Sequence, residues 1–473
     1  MPASSGDNTV VARPPGRPTT PHPGRWPVIS WAVWDCGGAA FNAVVTTFVF
    51  TVYLTGSTFV DPALVAARLI ETDPTGPAHI ATADAEAALS SGLGWGIAAA
   101  SFVVALVAPV LGQRSDASGR RKLWLGVNTG LVIVASALLF LVRGEPPYYL
   151  LGVLLIAAGT VFYEIAMVNY NAMLAQVSTP TTIGKVSGLG WGFGYLGGII
   201  LLVVVYFGVI VDTGIPGRGG LLMISEAEGL NIRVIALIAA GWTLIFSLPV
   251  LFAVPEIAPN RRRVKVGFFR SYIVLAHDVA KLWKESRTTV QFLIASALFR
   301  DGLVGIFTFG GLLAQGTFGF TAGQVIIFAI VANFIAGVST FISGVLDDRF
   351  GPKPIIVISL ASLIAIGTAV FIAHDGGALA FWIGGTLLCV FVGPAQSASR
   401  TFLARVTPPG REAEVFGLYA TTGRAVSPLA PALFSIFIVV LGAQFWGILG
   451  ILLVLLAGLL LLLPVTPPPR VRD

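Results

Sequence analysis

Apolar residues in this chain come in blocks of twenty or more, separated by short polar or Pro- and Gly-rich breaks. Splitting at those breaks predicts twelve spans, near residues 28–54, 89–111, 123–142, 148–174, 186–211, 232–254, 289–315, 323–346, 355–373, 379–404, 414–440 and 444–463. Each is long enough to cross a hydrocarbon core of about 30 Å at about 1.5 Å of rise per residue. The blocks are apolar throughout and do not alternate with period two, so helices are expected and a barrel is not. The expected fold class is all-α integral membrane, with twelve transmembrane helices.

Composition agrees with that pattern. Hydrophobic residues make up 55% of the 473 and charged residues 11%, against about 25% charged in a soluble chain. The mean hydropathy is +0.86. A soluble multidomain enzyme is thereby excluded. Cys36 and Cys389 both sit in apolar blocks, so there is no disulfide framework and no CxxC pair. His22, His79, His277 and His374 fall in expected loops, which leaves no material for a His-based metal site or catalytic triad. Neither enzymatic activity nor a cofactor or metal is expected. The first 26 residues lack an apolar h-region and read as a Pro-rich tail, not a signal peptide.

The net charge is +6, and its placement sets the orientation. With the N-terminus inside, inner segments hold 22 of the 29 basic residues, outer loops hold Arg68, Arg143, Arg218 and Arg233, and three lie within spans. This asymmetry places both termini in the cytoplasm. The expected organisation is a disordered cytoplasmic tail (1–26), a six-helix bundle (27–254), a cytoplasmic linker (255–288), a second six-helix bundle (289–464) and a short cytoplasmic tail (465–473). In the linker, Phe269, Tyr272, Ile273, Ala276, Val279 and Trp283 recur near helical spacing opposite Arg270, His277, Lys281 and Lys284. That pattern predicts an amphipathic helix along the inner membrane face, held on anionic lipid.

An internal repeat relates the halves. Gly112, Asp116, Gly119, Arg120 and Arg121 follow the second span, and Gly344, Asp348, Gly351 and Lys353 follow the eighth. Both stretches read G-x-x-x-D-x-x-G-x-[RK], 232 residues apart. Gly188-Leu189 and Gly194 are echoed by Gly417-Leu418 and Gly423, 229 residues apart. Two six-helix repeats of like orientation are the parallel-repeat plan of a secondary transporter. The doubled loop resembles the conserved loop of the major facilitator superfamily. As a gating latch it is physically sensible: glycines permit close packing and the turn, the aspartate can cap a helix or pair with Arg, and the basic residues sit at the inner surface.

Three further stretches sharpen the resemblance. They are Trp31 to Phe41 (WAVWDCGGAAF), Gly184 to Gly198 (GKVSGLGWGFGYLGG) and Pro408 to Tyr419 (PPGREAEVFGLY). They resemble the unknown-major-facilitator family related to the vacuolar amino-acid effluxers of autophagy, over about residues 30 to 460. Cys36-Gly37 departs from that family's usual Trp followed by a small or polar residue. The resemblance implies the major facilitator fold and export of small solutes, with amino acids the best-known cargo.

Six charges lie inside spans, where they cost free energy and mark candidate functional sites. They are Asp35, Glu164, Arg300, Asp301, Arg400 and Arg424. Five fall on spans 1, 4, 7 and 10, which line the central cavity in the superfamily; an even scatter would place about two there. Glu164, Asp301 and Asp35 are the candidates for proton coupling. Asn42, Tyr163, Asn171, Arg300, Gln396, Arg400, Tyr419 and Arg424 are candidates for lining the substrate cavity, and three acids against three Arg suit a zwitterion. The Gly188 to Gly198 ladder reads as helix packing. No strand precedes it and no GK[ST] follows, so it is no phosphate loop, and no nucleic-acid partner is expected.

The leading expectation is a secondary active transporter moving a small polar solute, an amino acid being the favoured case. It works by alternating access, coupled to protons, as an exporter. It acts as a monomer in the lipid bilayer of a bacterial plasma (inner) membrane. The alternatives are a lipid or drug efflux pump, or a non-transporting receptor or scaffold on the same fold. Asp116→Ala is expected to slow transport more than it lowers substrate affinity, because the latch governs gate closure and does not touch cargo. Comparing transport rate with binding in detergent checks this; an equal loss of binding in a folded variant overturns it.

Overall fold

The computed structural model describes residues 24–466 apart from 74, 119, 179–182, 255–267 and 408–411. The two expected tails therefore lie almost wholly outside the described residues, as does the first part of the linker. Twelve helical spans among the described residues are long and apolar enough to cross a membrane, and the chain is a multi-pass integral membrane protein. At both ends the bounds fall within five residues of expectation, except at the start of the second span.

The first span is α1 (Arg25–Ala40), a π-helical stretch (Phe41–Phe48) and α2 (Phe50–Leu54). A short α3 (Pro62–Ile70) leads into α4 (Pro77–Ser118), then α5 (Arg121–Leu138), α6 (Tyr149–Val177), α7 (Ile183–Val205) and α8 (Leu230–Ala253). A two-stranded hairpin of β1 (Arg218–Gly219) and β2 (Ile224–Ser225) joins α7 to α8. The linker helix α9 (Phe268–Glu285) follows. The second half holds α10 (Arg287–Gly316), α11 (Ala322–Phe350), α12 (Pro352–Ile372), α13 (Gly377–Val406), α14 (Glu412–Val426), α15 (Leu429–Leu441) and α16 (Gly447–Leu462).

Three departures from the sequence reading have local causes. Helix α4 starts twelve residues before the expected 89, at Pro77. Its first turn is Pro-initiated, and the Glu71 carboxylate accepts hydrogen bonds from the backbone N–H of Ala78 (2.7 Å) and His79 (3.1 Å). This turn is helical but not apolar, so hydropathy misses it, and His79 sits in a helix, not a loop. His277 likewise lies on α9. The eleventh span, expected as one helix over 414–440, is broken between α14 and α15. Pro428 has no N–H to continue the ladder, and Ser427 donates from both its hydroxyl (2.8 Å) and its backbone (3.3 Å) to the freed carbonyl of Arg424.

The first span bends within its π-helical stretch, at Val49 (φ −119°, ψ −65°). Hydroxyls of Thr46, Thr51 and Thr55 donate to the carbonyls of Asn42, Thr47 and Thr51. Such back-bonding to the preceding turn satisfies the backbone and favours a bend.

Helices α1 and α4 to α8 pack on one another, as do α10 to α16. At the end away from the chain termini the two sets meet tightly. Ser91 on α4 donates to the carbonyl of Ser435 on α15 (3.3 Å), and Ser435 donates back to the carbonyl of Ser91 (3.0 Å). Gln444 donates to the Ser90 hydroxyl (2.7 Å) and accepts from Thr317 (2.9 Å). Ser90, Ser91, Ser435 and Gln444 are all buried. Small polar residues bring helix backbones close and bond across them, so this end of the molecule is sealed. The double variant Ser91→Cys/Ser435→Cys is expected to form a disulfide on mild oxidation, read as a gel shift after cleavage at a protease site placed in 255–267. No cross-link in membranes would mean that these surfaces do not meet in the bilayer.

Candidate functional site

Five of the six charges within the spans are sorted by sign between the two helix sets. Asp35 (α1) and Glu164 (α6) belong to the first set. Arg300 (α10), Arg400 (α13) and Arg424 (α14) belong to the second. Glu164 and Arg424 form a direct ion pair across the interface, with side chains 36% and 18% exposed. Both side chains are thus partly exposed and not sealed in the packed core.

An aromatic wall positions Glu164. Its neighbour Tyr163 accepts a hydrogen bond from the Asn42 amide (2.8 Å) and stacks against Phe41 and Trp34. One turn or more away, Tyr170 stacks on Trp31 at 4.3 Å and Trp34 at 4.5 Å. The indole N–H of Trp31 donates to the Tyr170 carbonyl (3.0 Å), and that of Trp34 donates to the Thr129 hydroxyl (3.1 Å). The two tryptophans thus bury large flat surfaces while their indole N–H groups stay satisfied, whereas the Tyr170 hydroxyl is buried without a partner. Helix α7 approaches this wall closely. A Cβ at Gly190 would stand 2.7 Å from the Tyr170 hydroxyl, and one at Gly194 would stand 2.8 Å from the Asp35 carboxylate. Those two glycines leave room for the wall and for the acid.

On the facing set, Arg300 lies over the Tyr419 ring (3.9 Å) and donates to the Tyr419 carbonyl (3.1 Å). The Tyr419 hydroxyl bonds with that of Ser399 (2.7 Å). Arg400 stands over Trp191 of α7 at 4.4 Å, a cation–π contact across the interface. It lies within electrostatic reach of Asp35, Arg300, Tyr195 and Tyr419. Gln396 is half-buried on α13, and Asn171 is exposed on α6.

Asp301 is held apart from this group. It is 6% exposed, and its carboxylate accepts from the backbone N–H of Ala430 (2.7 Å), in the first turn of α15. It therefore caps the second half of the broken eleventh span, with an acid at the positive end of a helix.

Of the loop motifs, the side chains of Gly112, Asp116, Gly344 and Asp348, and all of Gly119, lie outside the described residues. Arg121 donates to the Ala172 carbonyl of α6 (2.8 Å), and Lys353 donates to the Leu463 carbonyl just past α16 (2.7 Å). Arg120 stands at the N-cap of α5. Gly351 turns the chain between α11 and α12 at φ +89°, where glycine is favoured. Asp347, passed over in favour of its neighbour Asp348, pairs with Arg405 at 3.5 Å. The pattern G-x-x-x-D selects 348, and nothing in it singles out Asp347. Trp191 and Ser399 were also missed, because single aromatic or hydroxyl residues in apolar runs carry no pattern. Among the described residues no group of three His, Cys, Asp or Glu is arranged to hold a metal.

Comparison with known proteins places this geometry. A family profile described as "Vacuole effluxer Atg22 like" matches residues 24–468. The uncharacterized MFS-type transporter YxiO of Bacillus subtilis is 22% identical over 444 residues, covering 92% of this chain and 93% of that protein. Autophagy-related protein 22 of Yarrowia lipolytica is 25% identical over 320 residues, 60% of this chain and 51% of that protein. The chain thus spans nearly all of the bacterial relative and about half of the fungal one. Among solved structures, a D-xylose-proton symporter superposes with a TM-score of 0.62 at 16% identity, over 93% of this chain and 98% of that one. That likeness shows the fold.

The ion pair makes a measurable claim. Glu164→Gln, Arg424→Gln and the double variant form a thermodynamic cycle, read as thermal unfolding in detergent. The expected coupling is about 1–3 kcal/mol, between the exposed-pair and buried-pair ranges, with the double variant less destabilised than the two singles summed. Strict additivity would show that the pair contributes nothing.

Proposed function

The chain belongs to the Atg22-like vacuole effluxer family of major-facilitator-type transporters, and from that premise we propose that it exports a small zwitterionic solute, an amino acid, in exchange for protons. The observation that carries this reading is the Glu164–Arg424 pair between two oppositely charged walls. A zwitterion matches such a site at both ends. Its carboxylate meets Arg424, Arg400 or Arg300, and its ammonium meets Asp35 or Glu164, with Asn42, Tyr163, Gln396 and Tyr419 as polar neighbours. A solute with one charge would satisfy one wall and leave the other unpaired, which costs specificity-setting free energy.

The proton enters through Glu164. A cargo ammonium pairs with Glu164 only as the carboxylate, so proton and cargo compete for the same side chain, and that mutual exclusion is what exchange requires. A ligand moves the equilibrium between the two access states only through its unequal affinity for them. In this reading the contact of Ser91 with Ser435 closes the end away from the termini. We place both termini in the cytoplasm of a bacterium, the protein in its plasma membrane as a monomer, and the loop motifs at the inner gate. Asp301 serves the hinge of the eleventh span in this reading, and Asp35 tunes Arg400.

Two measurements test it. In proteoliposomes, Glu164→Gln is expected to abolish uphill, pH-driven transport and leave counterflow exchange largely intact. Normal accumulation with normal pH dependence would remove Glu164 from the coupling role. In a thermal-shift screen, amino acids are expected to stabilise the purified protein, by about 2.7 kcal/mol at a hundred times Kd, above sugars, nucleosides and apolar drugs. Stabilisation by apolar drugs alone would favour an efflux pump of that class.

A further inference from the structure

Outside the central charges, the linker helix carries a feature that surface attraction alone does not require. Helix α9 rests against both α4 of the first set and α10 of the second, and the Tyr272 hydroxyl donates to the Leu106 carbonyl of α4. Leu282 is fully buried, so the helix is docked. Between α9 and the start of α10 there is nevertheless a groove of about 830 Å³. Small side chains at Ala276 and Ala280, one turn apart, leave it open opposite Val290 and Ile294, and Val279 and Trp283 complete its apolar lining. Lys284 stands on its rim. Lys281, one turn before it on the same face, is exposed, as are Arg270 and Arg287. Asp278 and Glu285 are the acids on the helix itself.

We propose that this groove is a binding site for one anionic phospholipid, with an acyl chain along Val279, Val290 and Ile294 and the phosphate headgroup at Lys284 and Lys281. The apolar lining excludes a free phosphate as sole occupant, since the rim alone is a solvated charge pair of little strength. A neutral lipid fits the lining but leaves the basic rim unmatched. Basic residues are drawn to an anionic headgroup, and burial of acyl methylenes in the apolar lining adds to that attraction. A chain in the groove also packs α9 against α10, so the lipid joins the linker to the second helix set.

The test uses the full-length protein in nanodiscs with photoactivatable phosphatidylglycerol or phosphatidylcholine, and adducts mapped by mass spectrometry. Phosphatidylglycerol is expected to label peptides covering 272–294 at least fivefold more than phosphatidylcholine. Lys281→Glu/Lys284→Glu should remove that preference, and Ala280→Trp, which fills the groove, should reduce labelling by both lipids there. Excess glycerol 3-phosphate should leave labelling unchanged. Equal labelling by the two lipids in the wild type, a preference surviving the charge reversal, or displacement by glycerol 3-phosphate each overturns the proposal. None of these outcomes depends on the transported solute, so the site stands or falls apart from the transport reading.

Discussion

Hydrocarbon supplies no hydrogen-bond partners, so every backbone group within the spans must be satisfied by the chain itself. That constraint explains the helices and, more informatively, the way the helices are interrupted. Where the first span loosens into a π-helical stretch, threonine hydroxyls bond to the carbonyls of the preceding turn. Where Pro428 stops the eleventh span, Ser427 covers the carbonyl of Arg424 and Asp301 covers the N–H of Ala430. Each break is repaired by a polar side chain from a named neighbour. The breaks flank Asn42 and Arg424, so the local irregularity and the polar site occur at the same depth.

The same scarcity of partners governs the charges. An unpaired charge at this depth is expensive, and six would be untenable if scattered towards lipid. Five of them are divided by sign between the two helix sets, while Asp301 caps α15 within the second set. Glu164 with Arg424 is the ion pair between the sets, and Arg400 over Trp191 is a cation–π contact between them. The wall beside Glu164 is by contrast neutral, built on stacked aromatics and close glycines. An ionic contact between the sets beside a rigid neutral wall suits rocking, because the contact can be remade without disturbing the wall.

At the ends the balance is different. The seal between α4 and α15 uses hydroxyls and one glutamine, with no charges. Neutral hydrogen bonds contribute modestly, about 0.5–1.5 kcal/mol each net, so a few of them close this end without locking it. Near the termini, basic residues cap helix ends through Arg121 and Lys353, and Asp347 ties α11 to Arg405. Helix α9 then bridges both sets across this end.

The number of spans, their positions, the repeat and the family were all legible in the order of residues. They rest on properties that accumulate along the chain: twenty apolar residues suffice to span, basic residues accumulate on one side, and a loop motif recurs at a fixed offset. The six intramembrane charges were legible for the same reason, since each stands out against an apolar background. Which of them meet was not. Glu164 and Arg424 are 260 positions apart, and helical phase, not spacing, turns Asp301 away to Ala430 while its neighbour Arg300 faces Tyr419. Adjacent residues on a helix point about 100° apart, so a run of sequence names the candidates and the packing of twelve helices selects among them. The pairing of Asp347 with Arg405, the break at Pro428 and the groove beside α9 were decided at that second level, because each depends on which surface a neighbouring helix presents.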